Sequence, residues 1–232
     1  MVARLLSHLA AAAVTLAGVG IIVFVLLRVV PGDPVAMMIS PGASAADIAA
    51  LRRLYGLDAS IAEQFRFWLA GLLRGDFGVS ISQKRGVADL VLQRLPATLE
   101  MAGLALAAAL LIGGGLAVAG AALARGAGEA AVDGLNGILL AVPDFVWALV
   151  FILLFAVAWP LLPLTDRIDR GIDIAFTTRF YLLESCATGQ FAVAANILSH
   201  MIMPVLALAL PLAASIARVL KESLIEDRKS VV

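Results

Sequence analysis

From Leu9 to Leu27 the chain carries no charged residue, and this run limits the possible folds more than any other feature. As a helix rising about 1.5 Å per residue it reaches roughly 28 Å, close to the roughly 30 Å of hydrocarbon in a bilayer. A secretory signal peptide is the rival reading, because Arg4 and His8 precede the run. The run exceeds the roughly 7–15 residues of a signal core, and Arg28-Val29-Val30-Pro31 is a poor small-residue cleavage site. An uncleaved transmembrane helix over residues 9–30 follows, with residues 1–8 as its tail.

Three further apolar runs, over residues 97–124, 134–160 and 201–221, extend the pattern. The chain is 62% hydrophobic and 15% charged, against about 45–50% and 25% in soluble domains. The expected fold is therefore all-α, a polytopic transmembrane helical bundle with four spans. The second run carries Ala105, Ala109, Gly113, Ala117 and Ala121 at four-residue spacing. That spacing puts them on one helix face, where small residues let backbones approach closely in lipid. The third run contains Pro143 and Asp144, and the fourth contains Pro204 and Pro211. Proline inside a span removes a donor and kinks the helix, so these positions are candidates for a bend or for the lining of a path. A carboxylate inside a span costs at least about 2.5–3.5 kcal/mol on insertion scales. Asp144 is thus either a polar point on a path or a carboxylate hydrogen-bonded where Pro143 breaks the helix.

Arg4, His8, Arg125, Arg218, Lys221, Arg228 and Lys229 all fall on one side if the N-terminus is cytoplasmic. Residues 31–96 are also rich in Arg and Lys, but the segment is long enough to escape the rule that keeps positive loops inside. On this reading residues 31–96 and 161–200 are extracytoplasmic, and residues 125–133 and 222–232 are cytoplasmic. The first external segment reads as short helices. Ser44 with Asp47 resembles a capping box, and Ile48, Leu51 and Tyr55 share a face before Gly56 stops the helix. Asp58 is expected to open a second helix with Ile61, Phe65, Trp68 or Leu69, and Leu72 on one side, ending at Gly75. Such helices lie on the membrane surface or pack on the outer end of the bundle. Residues 161–200 alternate in charge sign and read as a solvated loop with one short helix near Phe180–Leu183.

Most chemistry is excluded. Zero net charge leaves no basic field for nucleic acid. The single Cys186 excludes an internal disulfide framework. There is no phosphate loop for ATP. Gly126-Ala127-Gly128-Glu129-Ala130-Ala131 fits a loose dinucleotide pattern but follows a span rather than a strand. His8 and His200 have no partners at metal-ligand spacing. Ser199 beside His200 lacks a nucleophile motif and points away from its neighbour on a helix. No cofactor, metal or catalytic residue is expected, and the chain is not expected to be an enzyme.

Several segments, in order, resemble the B-type permease subunit of dipeptide, oligopeptide and nickel ABC importers. Arg28-Val29-Val30-Pro31-Gly32-Asp33-Pro34 is similar to that family's signature after its first span. Leu51-Arg52-Arg53-Leu54-Tyr55-Gly56-Leu57-Asp58, Gly75-Asp76-Phe77-Gly78-Val79-Ser80 and Arg94-Leu95-Pro96-Ala97-Thr98-Leu99-Glu100 resemble later elements. So do Phe180-Tyr181-Leu182-Leu183-Glu184-Ser185 and Met203-Pro204-Val205-Leu206-Ala207-Leu208-Ala209-Leu210-Pro211. Physically, Pro31, Gly32, Asp33 and Pro34 read as a rigid turn where the chain leaves the bilayer. Where the family usually has Ser after the proline of the third span, this chain has Asp144.

The resemblance implies a six-span subunit of an importer for peptides or related solutes in the bacterial inner membrane. Its partners would be a homologous permease, two cytoplasmic ATPases, an extracytoplasmic substrate-binding protein and membrane lipid, with no nucleic acid. Four spans of the six are expected here, with the coupling loop only begun. Asp227 to Val232 depart from the family's continuation and match a translated sequencing-adaptor frame, so the chain is expected to be C-terminally truncated and those six residues non-native. The rivals are a secondary transporter, which needs ionisable coupling groups within its spans, and a membrane scaffold without a path.

Overall fold

A computed structural model describes residues 2–29, 44–54, 58–80, 82–123 and 126–230. The Pro31-Gly32-Asp33-Pro34 turn, Tyr55 and the expected stop at Gly56, Arg125, and Val231 with Val232 lie outside the described residues. Among those described, the regular elements are helices: α1 (Val2–Val29), α2 (Ala45–Leu54), α3 (Ile61–Leu73), α4 (Val87–Ala122), α5 (Ala127–Ala141), α6 (Asp144–Ile152), α7 (Tyr181–Ala187) and α8 (Phe191–Ser230). A π-helical segment, Leu153–Ala158, prolongs α6. The chain divides into two units, residues 1–92 and 93–232.

In the first unit, α1 leaves most of its apolar side chains exposed, as a helix meant for lipid does. Phe24 is the exception, buried against Phe65 and Trp68 of α3 at ring distances of 5.3 and 5.5 Å. Arg28 closes this cluster by lying over the Phe24 ring and donating to Gln64 Oε1 at 2.7 Å. Ser60, rather than the expected Asp58, starts α3. Its hydroxyl accepts from the Glu63 backbone and the Glu63 carboxylate accepts from the Ser60 backbone, a reciprocal capping box. Asp58 cannot form this pair, because the residue three positions on is Ile61. The Ser60 hydroxyl and backbone N–H hold the Glu63 carboxyl below its ordinary value.

Gly75 and Gly78 have φ of 81° and 77°, the left-handed region that glycine enters at little cost. Between them Asp76 Oδ1 accepts from the Gly78 backbone at 2.9 Å, and the Asp76 backbone donates to Gly71. Val87 then donates to Gly78 and Val79 pairs with Gly86. The Gly-Asp-Phe-Gly-Val-Ser element therefore turns the chain from the end of α3 to the start of α4. That start lies ten residues before the expected boundary at residue 97. Pro96 stands inside α4 rather than at its beginning, where it deletes one backbone bond without ending the helix.

In the second unit, α8 is the central element, packed by α5, α6 and α7 as well as by α4. Leu104 packs on the cluster of Leu182, Ala194 and Ile197. Ala109 packs with Ala209 and Ala213, Gly113 faces Ala213 and Ile216, and Gly120 faces Lys221. Sequence numbers rise together along this contact, so α4 and α8 are parallel. The chain between them must travel back along the length of both helices.

That return is made by a broken segment. Residues 134–160, read from sequence as one span, fall in two helices that meet at 96°. Pro143 has no N–H to continue α5, and its ring drives the preceding residue out of the helical region. Val142 accordingly sits at φ −88° and ψ 120°.

Candidate functional site

Asp144 is the first residue of α6, just beyond the break, and it is exposed. Its carboxylate accepts from the Phe145 backbone at 2.8 Å, and the Pro143 carbonyl accepts from Val146 and Trp147. A negative side chain at a helix N-terminus is favoured by the helix dipole. Beyond it Trp147, Phe151 and Phe155 form a column with ring centroids 5.9 and 6.1 Å apart. Trp147 Nε1 is buried without a hydrogen-bond partner among the described residues. The column runs into the π-helical turn, where Trp159 donates to Leu154 at 2.8 Å. Such turns are frequent at functional positions in helices. Pro143 is exposed, while Pro204 and Pro211 are half-buried inside α8, which remains one helix through both.

The small-residue face is the place where α4 meets α8. Ala105, Ala109, Gly113 and Ala117 are buried, and Ala121 is half-buried. Gly113 is the point of closest approach. A Cβ there would lie 2.5 Å from the Ala213 carbonyl and 3.1 Å from Ile216. On α8 the facing residues are also small, with Ala209, Ala213 and Ala214 fully buried.

Two polar clusters mark the two ends of this contact. At the end nearer the start of α4, Glu100 is buried, with its side chain 1% exposed. It accepts from Arg167 at 3.0 Å and from the Leu183 backbone at 3.1 Å. Arg167 also stacks on Tyr181 at 4.3 Å, and Phe176 stacks on the same ring at 4.0 Å. Nearby, Asp169 pairs with Asn196 twice, through its backbone N–H and through its carboxylate. His200, buried on α8, directs Nδ1 at the Asn196 carbonyl and Nε2 at Asp169 Oδ1, 3.5 Å away. The stretch expected to be a solvated loop is thus strapped to both long helices.

Glu184 gives that strap its local shape. Its two oxygens accept from the hydroxyls and backbone N–H groups of Thr177 and Thr178, at 2.5–2.8 Å. The Thr178 hydroxyl, followed by the Thr177 backbone, lowers the Glu184 carboxyl to about 2. Cys186, in the same short helix, is exposed.

At the other end, Lys221 of α8 reaches two acids of α5. Its Nζ lies 2.9 Å from Glu129 and 2.7 and 2.8 Å from the two oxygens of Asp133. The stem of Lys221 passes over Gly120 of α4, where a Cβ would come within 3.0 Å of it. Neither cluster was marked in the sequence, because the partners stand 67 residues apart in Glu100–Arg167 and 88 apart in Asp133–Lys221. Gly126, singled out for a loose dinucleotide pattern, caps α5 in extended conformation and follows helix α4 rather than a strand.

Long apolar helices on a parallel, small-residue contact define a polytopic helical membrane protein. Three of its helices, and the bent pair α5–α6, are long and apolar enough to cross a bilayer. Residues 1–102 match the N-terminal family of binding-protein-dependent transport system membrane components. The probable D,D-dipeptide transport system permease protein DdpB of Escherichia coli is 34% identical over 91% of this chain and 62% of its own length. The di/tripeptide transport system permease protein DppB of Pseudomonas aeruginosa is 33% identical over 91% of this chain and 63% of its own. The probable peptide ABC transporter permease protein y4tP of Sinorhizobium fredii is 30% identical over 96% and 64%. The chain is similar to these transport system membrane components over nine tenths of its length or more. It spans a little under two thirds of the length of these relatives.

Proposed function

We propose that this chain is a permease subunit of an ATP-driven inner-membrane importer for peptides or related small solutes, contributing half of the translocation path. The observation that carries the reading is the likeness to peptide permease proteins over nine tenths of the chain. The partners are a homologous second permease, two cytoplasmic ATPases and a substrate-binding protein outside the membrane. The chain's own part is to bind and move with these partners, while ATP is hydrolysed elsewhere.

The proposed topology has a cytoplasmic N-terminus and four crossings. α1 leads out, α4 leads in, the broken α5–α6 segment returns outward, and α8 leads in again. Parallel α4 and α8 support this order, because two parallel crossings need one crossing between them. A re-entrant α5–α6 would instead return the chain to the side where α4 ended and make α8 antiparallel to α4. The strap over residues 161–190 then lies outside, and the Lys221 cluster lies at the cytoplasmic end. Asp144 and Pro143 form the break within the third crossing.

Cys186 tests the topology without a new cysteine. A membrane-impermeant maleimide should label it in intact spheroplasts, and Cys186→Ser should abolish the signal. Labelling only after lysis would overturn the four-crossing order. For the function, co-purification of the tagged chain with a homologous permease encoded beside it is expected, and its absence in mild detergent would count against the importer reading.

A further inference from the structure

We infer that α5 is a hinged arm, with its hinge at Val142–Pro143 and its latch at Lys221. Three features of the second unit lead to this. The arm joins α6 through a single extended residue and a proline, at 96°, so no helical hydrogen bonds continue across the joint. Among the described residues, its charged tie to the rest of the unit is the contact of Glu129 and Asp133 with Lys221. Between arm and α8 lies an open cleft of about 410 Å³, lined by Val132, Asp133, Asn136 and Leu140 on one side and by Ala217 and Lys221 on the other.

The cleft is what separates a latch from an ordinary ion pair. α5 buries only Leu139, and apolar contact holds a helix only in proportion to the surface removed from water. Asn136 Oδ1 is buried there without a partner among the described residues, a state that movement of the arm would relieve. Arg218 and Glu222 line the same cleft and offer alternative partners for the arm's acids and for Lys221. The latch is a side-chain device throughout. Lys221 has no backbone partner on α5, and its side chain is 13% exposed, against 26% for Glu129 and 54% for Asp133. Gly120 belongs to the device because it clears the path for the lysine stem across α4. In the importer reading, release of this arm would couple the cytoplasmic end of the second unit to the break at Asp144. The hinge and latch themselves stand on the geometry alone.

The experiment uses the full chain in lipid nanodiscs, in a Cys186→Ser background, with spin labels at Ala130→Cys on the arm and Phe191→Cys on α8. Both positions are exposed. With Lys221 intact one distance population is expected. Lys221→Met should shift a substantial fraction of molecules to a second distance several ångströms away. The reversed set Lys221→Glu, Glu129→Lys, Asp133→Lys should restore the single population. Gly120→Ala, which crowds the lysine stem without removing charge, should produce the same second population in smaller amount and serves if Lys221→Met does not fold. An unshifted single population in Lys221→Met, or in Gly120→Ala alone if the former is unfolded, would overturn the latch. So would a uniform loss of helicity and thermal stability with no second distance, which is the signature of a merely structural pair. None of these readouts depends on transport, so failure of the importer reading would leave them distinguishable.

Discussion

The two ends of the α4–α8 contact are both closed by ion pairs, yet they are built differently. At one end Glu100 is buried and held by a guanidinium and by a backbone N–H, and its partner Arg167 is itself packed on Tyr181. Side chain and backbone are interlocked, so no single rotation frees them. At the other end Lys221 meets two half-exposed carboxylates through side chains only. The first arrangement fixes a strap, and the second ties an arm that a rotamer change can release. The difference teaches that burial with backbone participation, rather than the mere presence of opposite charges, separates a fastening from a latch.

The comparison can be broken most forcefully at Glu100. Glu100→Ala strands Arg167 and the Leu183 N–H, and breaking such a buried pair costs about 3 kcal/mol or more. Thermal unfolding in detergent should show a clear drop, together with new proteolytic sensitivity over residues 161–190. Equal stability of variant and parent would put the two ends on the same footing. A smaller effect is expected at the contact they share. Gly113→Val forces a side chain into the Ala213 carbonyl, and overpacking of this kind costs about 1–3 kcal/mol. Lys221→Met should cost less again, about 1 kcal/mol or below, since partly exposed pairs contribute little. Its larger consequence should be the second arm position. A stability loss at Lys221 as great as at Glu100 would erase the distinction.

The subtlest test is pH. The Glu184 carboxyl is depressed to about 2 from its ordinary 4.5, so the folded form favours the carboxylate. Its contribution is fully present above about 4.5 and is lost as pH falls from there through about 2. Protection of the amides over residues 177–187, measured relative to intrinsic exchange at each pH, should therefore fall on acidification in that window, and Glu184→Gln should flatten the change. The Lys221 end should show no matching transition there that Glu184→Gln removes.

The hydrophobic runs are legible in the chain itself, because a length of apolar residue sufficient to cross lipid must show as an unbroken stretch. The small-residue face from Ala105 to Ala117 is legible for the same reason, since helical spacing converts sequence separation directly into a common side. Pro143 marks a break for a local reason, the loss of its own N–H. Its angle is another matter. Nothing local distinguishes a shallow kink from 96°, because the angle depends on where α5 and α6 each find α8. The boundary at Pro96 misleads for a related reason. Proline ends helices on average, but α4 continues through it with its apolar body already in contact.

Local patterns thus determined that the chain is built of helices, which runs are apolar enough for lipid and which family the chain resembles. Only the tertiary structure decided that α4 and α8 run parallel, that Glu100 finds Arg167 and that Lys221 finds Asp133. The physical reason is distance along the chain. Propensity and periodicity act between residues a few positions apart, whereas these pairings join groups separated by whole helices and exist only once those helices have packed.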